Sequence, residues 1–393
     1  MDFKVTNSFS RENLNYEVGT VKNIHYGDIH TKFQTLFDIT NETVPYINEE
    51  LNIEKIAEQN YCEEGDIIFA DASEDLLDVG KSIEIVNLNK EKLLSGLHTL
   101  LARPEKGIFC LGFNGHLFKS NFVRTQIQKE AQGTKVLSIN TGRISKIDLS
   151  YPDIKEQAKI TLLLSLIDER IQTQNKIIEE LTLLKNTISR KILSRHLKFK
   201  DESGNEFPMW ELKKLREVLL KNSKKNKLLR YSTVQSVSNK FGFINQEDFF
   251  EDRRVASIDT SNYYVIKKGT FAYNPSRIDV GSLAYKADDN VSIISPLYIS
   301  FQANSNYLID NFLLNWFFGI EFIHQMHNSF EGSVRNTLSY ESLEKINISI
   351  PSIAEQAKIS DYLLSFTNKI EIENTLLRSL QREKKYFLLN LFI

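Results

Sequence analysis

The chain has 393 residues, 41% of them hydrophobic and 11% aromatic, which is ample for packed cores and, at this length, suits two or more domains rather than one. No apolar run reaches the ~18 residues of a membrane-spanning helix, and the N-terminus Met1-Asp2-Phe3-Lys4 opens no secretory leader, so a cytoplasmic protein without membrane contact is expected. Only Cys62 and Cys110 are present, far apart, which excludes a disulfide framework or a zinc ribbon, and the net charge of −2 does not by itself advertise a nucleic-acid binder.

In chain order, residues 1–151 form a mixed region that is acidic, with sixteen Lys/Arg against twenty-two Asp/Glu up to residue 152. A strand is predicted at Asp66-Ile67-Ile68-Phe69-Ala70, followed by the turn Asp78-Val79-Gly80 with Lys81 beside it. Gly133-Thr134-Lys135 mixes flexible, hydroxyl and basic residues, a pattern that serves a surface turn or a phosphate contact equally. Near-alternation of apolar and polar residues from Ile144 to Pro152 predicts a half-buried strand, and the proline ends it.

A long helix should follow within a few residues of Pro152. Ile160, Leu164, Ile167, Ile171, Gln174, Ile178, Leu181, Lys185, Ile188 and Ile192 are spaced alternately by four and three, a heptad seam with two polar interruptions. The helical region is expected over 152–197. From Leu181 to Arg230 the chain is basic, with fourteen Lys/Arg against five Asp/Glu.

Residues 198–350 repeat the layout of the first region. Lys224-Lys225, Arg253-Arg254 and Tyr273-Asn274-Pro275-Ser276-Arg277 are the candidate DNA contacts, since Arg pairs with guanine and Asn with adenine while Lys positions phosphates. Asn-Pro-Ser is equally a turn signal. Arg335 lies in Gly332-Ser333-Val334-Arg335, the segment that is the counterpart of Gly133-Thr134-Lys135, and Asp279-Val280-Gly281 matches Asp78-Val79-Gly80. A buried helix is predicted at Phe312–Phe318, leading to Phe322. The second long helix, 351–393, carries Ile359, Leu363, Phe366, Ile370, Glu373, Leu377, Leu380, Lys384, Phe387 and Leu391 in the same phase.

The repeat is quantitative. Shifted by 199 residues, Gly133–Leu181 aligns with Gly332–Leu380 without a gap and with fifteen identities in forty-nine positions, densest at Glu156-Gln157-Ala158-Lys159-Ile160 and Glu355-Gln356-Ala357-Lys358-Ile359. So long a period means duplicated domains. Two narrow apolar stripes of equal length and phase suit pairing with each other, with Glu156, Gln157, Ile160, Ile167, Ile171, Glu355, Gln356, Ile359, Phe366 and Ile370 as pairing and docking residues. The fold class is α+β: two modules joined by two long antiparallel coiled-coil helices in a pseudo-two-fold repeat.

Catalytic signatures are missing from the sequence. Asn274-Pro275-Ser276-Arg277 fails the methyltransferase tetrapeptide at its third and fourth positions, and no Gly-x-x-x-x-Gly-Lys-Ser/Thr loop occurs. Pro152-Asp153 with Glu156 and Lys159 faintly suggests a metal nuclease, but the repeat replaces Asp153 by Ser352, which favours a helix-start role. His324 and His327 lack ligands close by for zinc.

The doubled strand, proline and Glu-Gln-x-Lys-Ile helix start, with Phe207-Pro208-x-Trp210-Glu211-Leu212-Lys213-Lys214-Leu215 after the first helix, resembles the specificity subunit of type I restriction-modification systems. The resemblance covers nearly the whole chain. It implies that residues 1–151 and 198–350 are target recognition domains, each reading half of a split DNA site in double-stranded DNA, and that the helices set the unread gap. It further implies docking of two modification subunits using S-adenosylmethionine and of restriction subunits using ATP and Mg, with no cofactor in this chain. The Trp-Glu-Leu-Lys-Lys opening has no counterpart in the first half, where Met1 falls near the position of Lys214. Rival readings are a coiled-coil scaffold for proteins and a nuclease with an unrecognised site; steep salt dependence would single out DNA.

Overall fold

The computed structural model describes residues 1–246, 259–331 and 336–392. The chain divides into two units, Met1–Lys176 with Asn374–Ile393 and Ile177–Glu373, so that each long helix contributes to both. Among the described residues no helix is long and apolar enough to cross a membrane.

In the first unit, a five-stranded sheet runs in the order Asp2–Lys4, Thr99–Arg103, Ile67–Ala70, Ser82–Asn87, Leu36–Asp38. Because side chains alternate across a strand, Ile67 and Phe69 enter one apolar cluster while Ile68 and Ala70 enter another. Both faces are covered, which is why this strand reads as an unbroken apolar run. A smaller sheet orders Leu14–Asn15, Tyr46–Ile47, Val21–Ile24 and Lys92–Ser95, the last two parallel.

The second unit repeats this frame. Leu219–Lys221, Ile299–Ala303, Thr270–Tyr273 and Leu283–Tyr285 form an antiparallel sheet in the same order as the first four strands of its counterpart. A second sheet of Gly242–Asn245, Val234–Ser238, Ser292–Ile294 and Tyr264–Ile266 again contains a parallel pair, 234–238 with 292–294. The matched turns at Gly80 and Gly281 both hold their glycine in the left-handed region, φ +64° and +85°, where a side chain would be strained.

The 199-residue register extends further than sequence identity shows. Phe113, Leu117, Phe118, Val123 and Ile127 are buried in the first unit, and Phe312, Trp316, Phe317, Phe322 and Met326, each 199 positions later, are buried in the second. The expected buried helix is present as Asp310–Phe317 and Ile320–Asn328.

The long helices span Ile154–Leu193 and Ile353–Asn390, beginning two residues after each proline. Asp153 Oδ1 accepts from the backbone N–H groups of Lys155 (2.9 Å) and Glu156 (3.0 Å), and Ser352 Oγ accepts from that of Glu355 (3.3 Å). The Asp-to-Ser exchange therefore preserves a helix cap. All twenty heptad-seam positions are buried or half-buried, as a paired seam requires. Within the first unit, Ile160 and Leu164 share a cluster with Phe392 and its neighbours Phe387 and Leu391, and Lys384 pairs with Asp168. Within the second, Ile192 shares a cluster with Ile359 and Leu363. In each unit the low-numbered part of one helix meets the high-numbered part of the other, so the pair is antiparallel.

The strands expected before the helices are only half realised. Asn347–Ile350 is a strand because it pairs antiparallel with Glu211–Lys214. Residues 148–151 have no partner strand among the described residues and remain irregular, and Ile144 ends a short helix, Thr141–Ile144.

Candidate nucleic-acid interface

Gln157 and Gln356 show why the Glu-Gln motif recurs. Gln157 Oε1 accepts from Cys110 N–H (2.9 Å), and its Nε2 donates to the carbonyls of Ile108 (3.1 Å) and Pro152 (2.9 Å). Gln356 accepts from Ile309 N–H (2.8 Å) and donates to Tyr307 (2.7 Å) and Pro351 (3.0 Å), each partner displaced by 199. Both amides are essentially buried, at 1% and 0% exposure. Each glutamine is thus a clip between module and helix, which corrects its expected place in helix pairing and docking. A primary amide fits this position because it offers one acceptor and two donors.

Gln126 and Gln325 form a second matched clip that the sequence did not reveal. Gln126 bonds both backbone groups of Asp148 (2.9 and 3.0 Å), and Gln325 those of Asn347 (2.9 and 2.8 Å). Of the remaining motif residues, Glu355 is buried and accepts from Trp210 Nε1–H at 3.0 Å, while Glu156 is exposed. Ile160, Ile167 and Ile359 are buried in the seam, with Ile171, Phe366 and Ile370 half-buried.

The second module carries a cleft of about 580 Å³. One wall is the hairpin of strands 234–238 and 242–245, which contributes Ser236, Ser238 and, at its tip, Lys240 and Phe241; the other is the Asn274–Arg277 turn, with Leu297 and Tyr298 nearby. Asn274 Oδ1 accepts from Ser276 N–H at 3.0 Å, and Arg277 N–H donates to the Asn274 carbonyl at 3.0 Å, so the Asn-Pro-Ser turn signal and the cleft are one feature. The Arg277 side chain is exposed and has no hydrogen-bond or ion-pair partner among the described residues. Phe241 and Leu297, 67% and 80% exposed, put apolar surface beside these polar groups. Donors that fork, hydroxyls and exposed apolar groups in one cleft are what base edges and thymine methyls require.

Lys224 and Lys225 are exposed and flank the 264–266 strand; Lys225 donates to Asn262 Oδ1 at 3.3 Å and lies 5.7 Å from the Tyr264 ring. Tyr273 is a correction: it is fully buried, its hydroxyl donates to the Leu338 carbonyl at 3.1 Å, and burial raises its pKa. A strand residue pointing into the apolar core cannot meet a base. Arg253, Arg254 and Arg335 lie outside the described residues.

In the first module, Lys81 is engaged by Asp78 (3.5 Å) and by the His30 carbonyl (2.8 Å). Lys135 is exposed on a turn closed by Gln132 and Ser138. A 480 Å³ concavity in this unit is lined by Glu49, Glu50 and Glu54, a field that repels phosphate. Its electrostatics differ in kind from those of the Arg277 cleft.

The architecture is thus a doubled α+β module on antiparallel helices, one module carrying a cleft with an exposed arginine. The family model for the type I restriction modification DNA specificity domain matches residues 13–183 and 209–382, and the chain belongs to that family. It is 26% identical over 337 residues to the putative type I restriction enzyme MjaX specificity subunit of Methanocaldococcus jannaschii, covering 82% of this chain and 76% of that one. It is likewise 26% identical over 329 residues to the type I restriction enzyme MjaVIII specificity subunit of the same organism, covering 78% and 75%. The fold resembles the type I S subunit from M. genitalium, at TM-score 0.54 and 15% identity over 100% of this chain and 93% of that one. A chain from a structure concerning assembly and conformational transition of the type I system matches at TM-score 0.55 and 15% identity, over 94% and 89%. The chain is a specificity subunit with two recognition domains; it binds DNA and assembles with other subunits, which carry the catalysis.

Proposed function

We propose that each module reads one half of a bipartite, asymmetric duplex target, with residues 1–151 and 198–350 as the recognition domains, and that the paired helices of 152–197 and 351–393 set the unread gap. Two modification subunits bearing S-adenosylmethionine dock on this chain, and restriction subunits bearing ATP and Mg join them. The target adenine is then flipped and methylated by a partner.

The observation that carries the base-reading assignment is the Arg277 cleft: a guanidinium with no partner among the described residues, on an Asx turn beside hydroxyl and apolar groups. A guanidinium that no described residue engages retains both arms of its fork for guanine O6 and N7. Lys224 and Lys225, exposed beside the 264–266 strand, suit phosphates instead, as Lys135 does in the first module. Mapping of methylated adenines in cells with and without this chain should show one bipartite motif that depends on it. Arg277→Ala should relax or weaken one half-site only, by about 1–3 kcal/mol. Unchanged methylation at sites with a wrong base in that half would remove Arg277 from the reading surface.

A further inference from the structure

The Arg277 cleft is walled by three connections of the second module: the hairpin tip that follows strand 234–238, the turn between strands 270–273 and 283–285, and the residues joining 292–294 to 299–303. The first module has the same three connections, because its strands keep the same order and the same parallel pair, 21–24 with 92–95. They are the short helix Tyr26–Thr31, the loop 71–81, and Gly96-Leu97-His98.

These three connections meet. Tyr26 N–H donates to the Leu97 carbonyl at 3.2 Å, and the Tyr26 and His98 rings pack edge to face at 5.3 Å. A carboxylate only accepts, so His98 Nδ1–H donates to Asp71 Oδ1 at 3.1 Å, while Asp71 N–H donates to the His98 carbonyl at 3.0 Å. His98 holds the place of Tyr298 in the Arg277 cleft, one residue before the strands that start at Thr99 and Ile299. Its φ is +53°, in the left-handed region where a side chain is strained, and its ring is 53% exposed. Strain of this kind gathers where a side chain has to be aimed.

The two other histidines serve the frame. His25 Nδ1 accepts from Gly27 N–H at 3.1 Å, and His30 Nε2–H donates to the Ala72 carbonyl at 3.0 Å. Among the described residues no three His, Cys, Asp or Glu side chains are placed to hold a metal ion, and neither the Tyr26 hydroxyl nor His98 Nε2 has a hydrogen-bond partner. Arg11 and Lys32 converge on the buried Asp28 at 3.0 and 2.9 Å, so two cations flank the cluster against that one carboxylate.

We propose that Tyr26 and His98 read the half-site of the first module, on the same three connections that carry Arg277 in the second. The assignment rests on the reading of each module as a half-site reader. With Nδ1–H committed to Asp71, the neutral ring's Nε2 accepts from an exocyclic amine of adenine or cytosine, and the phenol donates or accepts beside it. That chemistry differs from a donor-only guanidinium, so one mount selects different bases in its two copies, as an asymmetric target requires.

The test maps methylated adenines in cells carrying the whole assembly with this chain unaltered or bearing His98→Gly, Tyr26→Phe or Arg277→Ala. Glycine suits the backbone at position 98, and phenylalanine keeps the ring packing at position 26. Both variants should relax the same half-site, and not the one that Arg277→Ala alters. Methylation at sites with one wrong base in that half should rise, relative to the correct site, about tenfold for His98→Gly and severalfold for Tyr26→Phe. An unchanged motif, a loss of methylation that ignores the base in either half, or relaxation of the Arg277 half overturns the proposal. If Arg277→Ala still alters its own half in that case, the reading of the modules stands without it; a motif that is not bipartite overturns both.

Discussion

The C-terminal part of each module and its N-terminal part obey different rules. From Ile108 to the end of the first long helix, and from Tyr307 to the end of the second, buried residues, caps and both glutamine clips recur at a fixed distance of 199. Upstream of those points the sheets keep their strand order but not their sequence, edge strands or charge. The first module there has an acidic concavity, the second a cleft with an exposed arginine. A clip bonding three backbone groups needs one acceptor and two donors at a fixed reach, whereas a strand needs only apolar residues in alternation, so the upstream surfaces are freer to diverge on a constant mount.

The equivalence of the mounts can be broken most directly at the clips. Gln157→Leu and Gln356→Leu each strand one buried N–H and two carbonyls, and each should cost about 3–6 kcal/mol of unfolding free energy in urea denaturation. A difference above ~2 kcal/mol between the two would show that the clips are not equivalent, since each single bond accounts for roughly 1–3 kcal/mol.

The next test sharpens a difference. His116 and Lys119 of the first unit are replaced by Asn315 and Phe318 in the second. His116 is fully buried, neither ring nitrogen has a hydrogen-bond partner among the described residues, and burial with the cations of Lys384 and Lys119 pushes its pKa down to about 3. The unfolded chain binds this proton below ~6.5 and the folded one does not, so stability falls as pH drops from there towards 3. Glu84 opposes this. Burial raises its pKa to about 7 despite N–H bonds from Gly112 and Gly115, so the folded state gains stability as pH falls from 7 towards ~4.5. Lys119, pushed down to about 7 by burial, titrates above this window. In a Glu84→Gln chain, stability should therefore drop by about 1.4 kcal/mol per pH unit between pH 6 and 5, and adding His116→Gln should flatten that slope. A slope that survives the second substitution would assign the acid sensitivity elsewhere.

The smallest effect separates core from interface. Tyr273→Phe removes one buried hydrogen bond to Leu338 and should cost ~1–2 kcal/mol of stability, with the methylated motif unchanged. A changed motif at unchanged stability would put Tyr273 on DNA after all.

Much of the shaft was legible in the sequence because helix pairing is written in local periodicity. The seam from Ile160 to Ile192 and its copy from Ile359 to Leu391 need only a heptad count, and the cap exchange of Asp153 for Ser352 is local too. The Arg277 turn was visible as Asn-Pro-Ser for the same reason. Tertiary structure decided the rest. Tyr273 looked like a reading residue from its neighbours, but strand alternation and the sheet's packing turned it into the core. Gln157 looked like part of a helix seam, yet its partners lie forty-seven residues or more away for two of three bonds, which no periodicity encodes. Residues 148–151 and 347–350 share a sequence pattern and differ in state, because a strand exists only where a second strand satisfies its backbone, and among the described residues only 347–350 have one.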